Sequence, residues 1–251
     1  MSQPPPPGVY VPVPTFFLPR SSPSYSSIAS PLDTETQAAH SLHLARSGIK
    51  GLVVLGSTGE AVHLSNAERY TVLKGCRDAL DKEGFGDVGI VARTASQNIQ
   101  EVVEQLGEAK RAGSGWGLVL VPGYFSGAST QEGIIEQLLP VMSIGCKGTI
   151  DGSAGFFPKS VVRLYELSVK DSVTPEEKKE RGLLQWKLSG VEEIVVKYGT
   201  VGIKECVSRI LGMGEKDGTR LPLMGGIPGG DAEWEKWRGV IGELEEAEKS
   251  L

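Results

Sequence analysis

The stretch with the clearest chemical potential is Gly56-Ser57-Thr58-Gly59-Glu60. Its two glycines allow a tight turn, and the adjacent hydroxyls can join backbone N–H groups to hold a small carboxylate. The same residues would also suit an ordinary turn in which Ser57 and Thr58 cap local backbone. No Gly-Lys-Ser/Thr follows, so this is not a phosphate-binding P-loop. Other reactive types are thinly spread. Cys76, Cys146 and Cys206 are odd in number and widely spaced, which fits neither a disulfide framework nor a zinc pattern. His40-x-x-His43 lacks a third ligand type nearby and His63 stands apart, so no metal is expected.

The elements that must position this loop are legible as alternating runs. Val9–Val13, Ile49–Leu55, Val88–Ala92, Trp116–Val121 and Gly148–Ile150 read as five short buried strands. Between them lie helical segments: Thr34 to Ser47, closed by Gly48; Ser65, with Glu68 completing a capping box, to about Leu80; and Ile99 to Ala112. Ser129-Thr-Gln-Glu132 opens a further helix, and Thr174-Pro-Glu-Glu177 a long one, with Thr as N-cap and Pro at the first helical position. In the final segment, Asp231 to Leu251, residues Trp234, Trp237, Ile241 and Leu244 share one helical stripe. Continuous apolar strands alternating with helices are the mark of parallel βα units. The hydroxyl loop directly follows the second strand, at the carboxyl end, where substrates bind in such folds.

Composition bounds the rest. The chain has 251 residues, Lys+Arg 26 against Asp+Glu 31, and a formal net charge of −5. Mild acidity without clustered Lys and Arg argues against a nucleic-acid groove. No stretch reaches the roughly 18 apolar residues of a membrane span. The N-terminal Met1-Ser-Gln-Pro-Pro-Pro-Pro-Gly8 has no basic or apolar leader character, so a cytoplasmic location is expected.

Several motifs together carry a resemblance. Gly51-Leu-Val-Val-Leu-Gly-Ser-Thr-Gly-Glu60, followed by Leu64-Ser65 and Glu68-Arg69, resembles the dihydrodipicolinate synthase / N-acetylneuraminate lyase family of class I pyruvate aldolases. Gly8-Val-Tyr-Val-Pro-Val-Pro-Thr15 is similar to that family's first strand, and Val121-Pro-Gly-Tyr-Phe125 to its fourth. Gly145-Cys-Lys-Gly-Thr-Ile-Asp-Gly152, with Pro158 and Leu164-Tyr-Glu-Leu167, is similar to the eighth strand and its helix. Tyr198-Gly-Thr-Val-Gly-Ile-Lys204, Gly212 and Arg220-Leu-Pro222 are similar to the C-terminal helical appendage. Tyr-Phe-Ser-Gly at 124–127 and the Gly-Ser-x-Gly-Glu turn look closest to the 4-hydroxy-2-oxoglutarate aldolase-like branch, whose members cleave that acid to pyruvate and glyoxylate.

The resemblance implies a metal-free, cofactor-independent (β/α)₈ TIM barrel that acts on pyruvate-type 2-oxo acids and tends to form homo-oligomers. In such enzymes a lysine at the end of the sixth strand forms a Schiff base, and it must be neutral to attack, which calls for a dry site. By position, Ser57 and Thr58 would bind the substrate carboxylate, Gly152 would lie where the eighth strand approaches it, and Tyr124 would belong to a proton relay. The relay's second tyrosine is replaced by Phe125, which passes no proton. The branch also makes a mitochondrial location an alternative.

One departure dominates. Between Gln137 and Leu138 the family would place the rest of its fourth helix and strands five to seven, about 75 residues, with the relay tyrosine and the Schiff-base lysine. Nothing in Ile134 to Gly145 resembles either motif. Val201-Gly-Ile-Lys204 looks locally like the lysine motif, but its helical surroundings place it in the C-terminal appendage, and Lys147 matches a structural turn. The expectation is an incomplete barrel with five of eight strands, its Schiff-base lysine absent. The Pro-rich lead would cover 1–8, the truncated barrel 9–170 and the helical region 171–251, with inward side chains such as Val54 and Val119 losing part of their layered core. The expected function is that of a 4-hydroxy-2-oxoglutarate aldolase-like lyase, inactive or severely impaired in this chain; the alternatives are a dihydrodipicolinate synthase-like enzyme, a non-catalytic binder of 2-oxo acids or a partner of longer homologues.

Overall fold

In the computed structural model, residues 4–26, 28–96, 98–119, 147–223 and 225–251 are described. Five strands form one parallel sheet: β1 Gly8–Pro12, β2 Gly51–Val54, β3 Gly89–Arg93, β4 Trp116–Leu118 and β5 Gly148–Ile150, in the order β4-β3-β2-β1-β5. The expected incomplete barrel is borne out. β5 pairs with β1, where the last strand of a closed barrel meets the first, and not with β4. Among the described residues β4 and β5 are therefore the two edges of an open half-barrel.

The helices start where their capping residues dictate. The Asp33 carboxylate accepts the Thr36 N–H and opens α1, Thr34–Arg46. A complete Ser65/Glu68 capping box opens α2, Asn66–Lys82, and Asn98 caps α3, Ile99–Arg111. After β5 come α4 (Pro158–Val169), α5 (Pro175–Leu211), α6 (Gly230–Trp234) and α7 (Arg238–Ser250). The Thr174/Glu177 box opens α5 as predicted, and the helix breaks at Gly199, whose φ of 56° lies outside the helical region. The single terminal helix expected from Asp231 is instead two, joined by a 3₁₀ turn at Glu235–Trp237 that leaves Trp237 only half-buried while Trp234, Ile241 and Leu244 are in the core. The predicted helix at Ser129–Glu132 and the 137/138 junction lie outside the described residues.

The sheet has two distinct faces. Val9, Val11, Leu52, Val54, Ile90 and Ala92 join residues of the surrounding helices in the main core. Tyr10, Val53, Val91 and Trp116 form a second cluster on the opposite, inner face. Adjacent rows there alternate large on small: Tyr10 lies beside Gly51, where a Cβ would collide with its ring, and Trp116 leaves only 2.7 Å to a Cβ at Gly89. Val54 is thus on the helix side, not inward as expected, because β2 places Gly51 and Val53 inward and the side-chain period is 2. Val119 is 53% exposed beyond the end of β4.

The C-terminal helices close one end of this sheet. α5 packs on α4, on α7 and on the 3₁₀ turn Ser153–Gly155 that follows β5. Among the described residues no helix is long and apolar enough to cross a membrane.

Candidate functional site

The turn after β2 is held by contacts from four directions. The Thr15 hydroxyl, just past β1, donates to the Gly59 carbonyl at 2.7 Å. Within the turn, Glu60 N–H donates to the Ser57 carbonyl at 3.0 Å and Ala61 N–H to that of Gly56 at 3.4 Å. Thr200, the residue after the break in α5, donates its hydroxyl to the same Ser57 carbonyl at 3.0 Å. The Arg69 guanidinium braces the turn from α2, reaching the carbonyls of Ala61 (3.5 Å) and Arg93 (2.7 Å).

Two non-glycine residues in this turn have left-handed backbone: Leu55 at φ 66° and Glu60 at φ 51°. Such conformations cost on the order of 1–3 kcal/mol each and persist where surrounding structure enforces them. At Glu60 the enforcement is visible. Its buried carboxylate accepts from Lys204 Nζ at 2.5 Å and from the Arg220 N–H at 2.9 Å, with His63 Nδ1 at 3.4 Å. The Lys204 amine also donates to the Gly218 carbonyl at 2.5 Å and sits 4.5 Å from the centre of the Phe17 ring. Burial pushes the Lys204 pKa down, and the facing Glu60 charge works against that shift. Arg220 in turn pairs with Glu68, whose carboxyl it holds at about 2.

Beside the turn lies a cleft of about 300 Å³ at the C-terminal ends of β2 and β3. Ser57, His63, Arg93, Thr94 and Thr200 supply its polar groups. Ser57 is exposed to it, whereas Thr58 is buried. Gly152, the other residue expected near a substrate, does not line it. It is buried after β5, where a Cβ would stand 3.0 Å from Val195 Cγ1 of α5. Tyr124 lies outside the described residues. The structure thus brings Ser57 to an open cleft and seals Gly152 elsewhere.

The hydroxyls and guanidinium of the cleft suit a small anion, and among the described residues no amine lines it to attack a carbonyl. Lys204 is 3% exposed with its Nζ directed to Glu60 and Gly218. The sequence from Ala112 to Cys146 contains no Lys, Arg or His. Among the described residues no cluster of His, Cys, Asp and Glu is arranged to hold a metal. Sequence reasoning missed Arg93, Thr200 and Glu60 as parts of this site. Arg93 had a usable signal, since it directly follows the apolar run Val88–Ala92 and so ends a strand at the ligand-binding side.

Comparison with known proteins agrees with this geometry. Residues 30–137 match the Dihydrodipicolinate synthetase family. An L-threo-3-deoxy-hexylosonate aldolase of Aspergillus niger is 36% identical over 139 residues, 55% of this chain and 39% of that protein. A protein of Emericella nidulans named as a mitochondrial 4-hydroxy-2-oxoglutarate aldolase is 33% identical over 135 residues, 54% and 41% of the two chains. The chain therefore spans about two fifths of the length of these curated relatives. A dihydrodipicolinate synthase family protein of Coccidioides immitis has a similar fold, with a TM-score of 0.79 over 98% of each chain at 23% identity. The motif resemblance is borne out as far as the match reaches: residues 30–137 match the dihydrodipicolinate synthetase family, and the relatives are named for aldolase activity.

Proposed function

We propose, from that match, that the chain is a 4-hydroxy-2-oxoglutarate aldolase-like member of the class I pyruvate aldolases that retains a pocket for a pyruvate-type 2-oxo acid and is impaired in carbon–carbon bond cleavage. The observation that carries this reading is the pairing of Lys204. An aldolase of this class needs an amine that is free and can become neutral beside the substrate carbonyl. Here the lysine that resembles the Schiff-base motif is buried against Glu60. Ser57 meanwhile lines an open cleft at the ligand-binding end of the sheet. Ser57 and the Thr58 segment would hold the carboxylate, with no metal or cofactor required. The cytoplasm is the proposed compartment, with the mitochondrion as the alternative that the name of the Emericella relative suggests.

Incubation with pyruvate, reduction with borohydride and intact-mass analysis test the loss of chemistry, while calorimetric titration tests binding. Binding without an adduct is expected, with a full-length aldolase of the branch as positive control. A reduced adduct on Lys204 would show a working amine and overturn the impairment. An absence of any 2-oxo-acid binding would overturn the retained pocket.

A further inference from the structure

Resting on the retained pocket of that reading, we propose that Arg93 receives the ligand's carboxylate together with Ser57, and that the cleft admits acids with one carboxylate and disfavours acids with two, 4-hydroxy-2-oxoglutarate included. The Arg93 side chain leaves the C-terminal end of β3 and lies across the turn at Gly56, where a Cβ would stand 3.5 Å from its Cδ and Nη1. Nη1 is 3.5 Å from Ser57 Oγ, so one carboxylate can bridge the guanidinium and the hydroxyl. Arg93 Nε is buried with no hydrogen-bond partner.

The neighbouring cations are satisfied within the protein. Lys204 has Glu60, Arg220 has Glu68 and the Ser30 carbonyl, and Arg69 has two carbonyls. Among the described residues Arg93 alone of these four has no carboxylate or carbonyl on its guanidinium. A half-buried, uncompensated guanidinium carries a desolvation cost that a bound anion offsets.

The charge count then sets the ligand class. Among the described residues, the charged groups at the cleft apart from Arg93 are Glu60, paired with Lys204, and His63, which leans on Glu60. Of the remaining lining, Leu55, Ala61, Val62 and Ala95 are apolar, Thr94 is buried, and the Thr200 hydroxyl donates to the Ser57 carbonyl. The stretch from Ala112 to Cys146 can add no cation, since it has no Lys, Arg or His. A second carboxylate would face apolar walls or the Glu60 side and lose its hydration without a partner. The volume leaves room for a carbon chain longer than that of pyruvate.

Calorimetric titration with 2-oxopentanoate and 2-oxoglutarate, which share chain length and differ by one carboxylate, tests this on the wild-type chain. The expected result is at least about tenfold tighter binding of 2-oxopentanoate. In Arg93→Gln that acid should bind about tenfold to a hundredfold more weakly, the range for losing one charged hydrogen bond, with part of the loss restored in Arg93→Lys. Circular dichroism verifies that each variant is folded. Equal or tighter binding of 2-oxoglutarate by the wild type overturns the charge count, whatever the variants do. Undiminished binding in a folded Arg93→Gln overturns the role of Arg93 and leaves the retained pocket standing. If neither acid nor pyruvate binds the wild type, the retained pocket and this inference fall together.

Discussion

Two strand ends on the same side of the sheet have opposite fates. After β2, the turn carrying Ser57 opens into a cleft, with Arg93 half-buried at its edge and, among the described residues, without a counter-charge. After β5, the turn carrying Gly152 is closed over by α5, and its polar groups are consumed internally. Asp151 accepts from the Ser153 hydroxyl at 2.7 Å and from the Ala154 N–H at 2.9 Å, and His40 Nε2 donates to the Gly155 carbonyl at 2.8 Å. Position at the C-terminal end of a parallel strand is thus not sufficient for an open cleft. What decides is whether a helix covers the end and whether the charges there already have partners.

The sharpest way to break this comparison is at the latch behind the open end. Lys204→Met leaves the Glu60 carboxylate buried without its cation, and removing one member of a buried pair costs about 3–5 kcal/mol. Urea denaturation should show that loss. A change below about 1 kcal/mol would mean that the pair does not hold the turn.

At the closed end, burial raises the Asp151 carboxyl to about 6, and it lowers the His40 imidazole to about 4. For an acid whose folded value is raised, the stability contribution is full below the unfolded value near 4 and is lost as the pH rises through 6. Asp151→Asn removes that term and keeps an acceptor for Ser153 and Ala154. Its stability relative to wild type should therefore grow from near zero at pH 4 to a gain on the order of 2 kcal/mol at pH 7. His40 contributes the opposite slope, stability present above its unfolded value and lost as the pH falls toward 4, but equally in both proteins. Paired denaturation series across this range are the check, and a flat difference would contradict a buried, ionising Asp151.

A smaller effect tests the seal itself. Gly152→Val pushes a side chain into Val195 and should cost about 1–3 kcal/mol through overpacking. If the variant keeps wild-type stability but loses 2-oxo-acid binding, Gly152 belongs to the ligand site after all and the two strand ends are not different in kind. Smallest is Thr200→Val at the open end, which removes the hydrogen bond to the Ser57 carbonyl. About 1 kcal/mol of stability should be lost, with a few-fold weaker binding as the turn loosens. Unchanged binding would show that the turn is held without Thr200, by Thr15, Arg69 and the Glu60 pair.

Much of this architecture was legible in local pattern. The continuous apolar runs at 51–54 and 89–93, the Ser65/Glu68 and Thr174/Glu177 boxes and the family motifs around Gly56-Ser57-Thr58-Gly59-Glu60 all depend on residues a few positions apart, and each appears in the structure as read. The shortfall of strands was also readable, because helices occupy the chain beyond Pro158. The inward side chains were misread at Val54, since a one-residue error in a period of two reverses the face.

The site divides along the same line. Sequence alone identified the hydroxyl turn, showed that it is no P-loop, and located Lys204 in the C-terminal helices rather than at a strand end. Only the tertiary structure decided that Lys204 meets Glu60 across 144 residues, that α5 seals Gly152 and that Arg93 has no counter-charge among the described residues. The physical reason is that propensity, capping and motif are properties of neighbours along the chain. Burial and charge pairing are properties of neighbours in space, and no local pattern carries them.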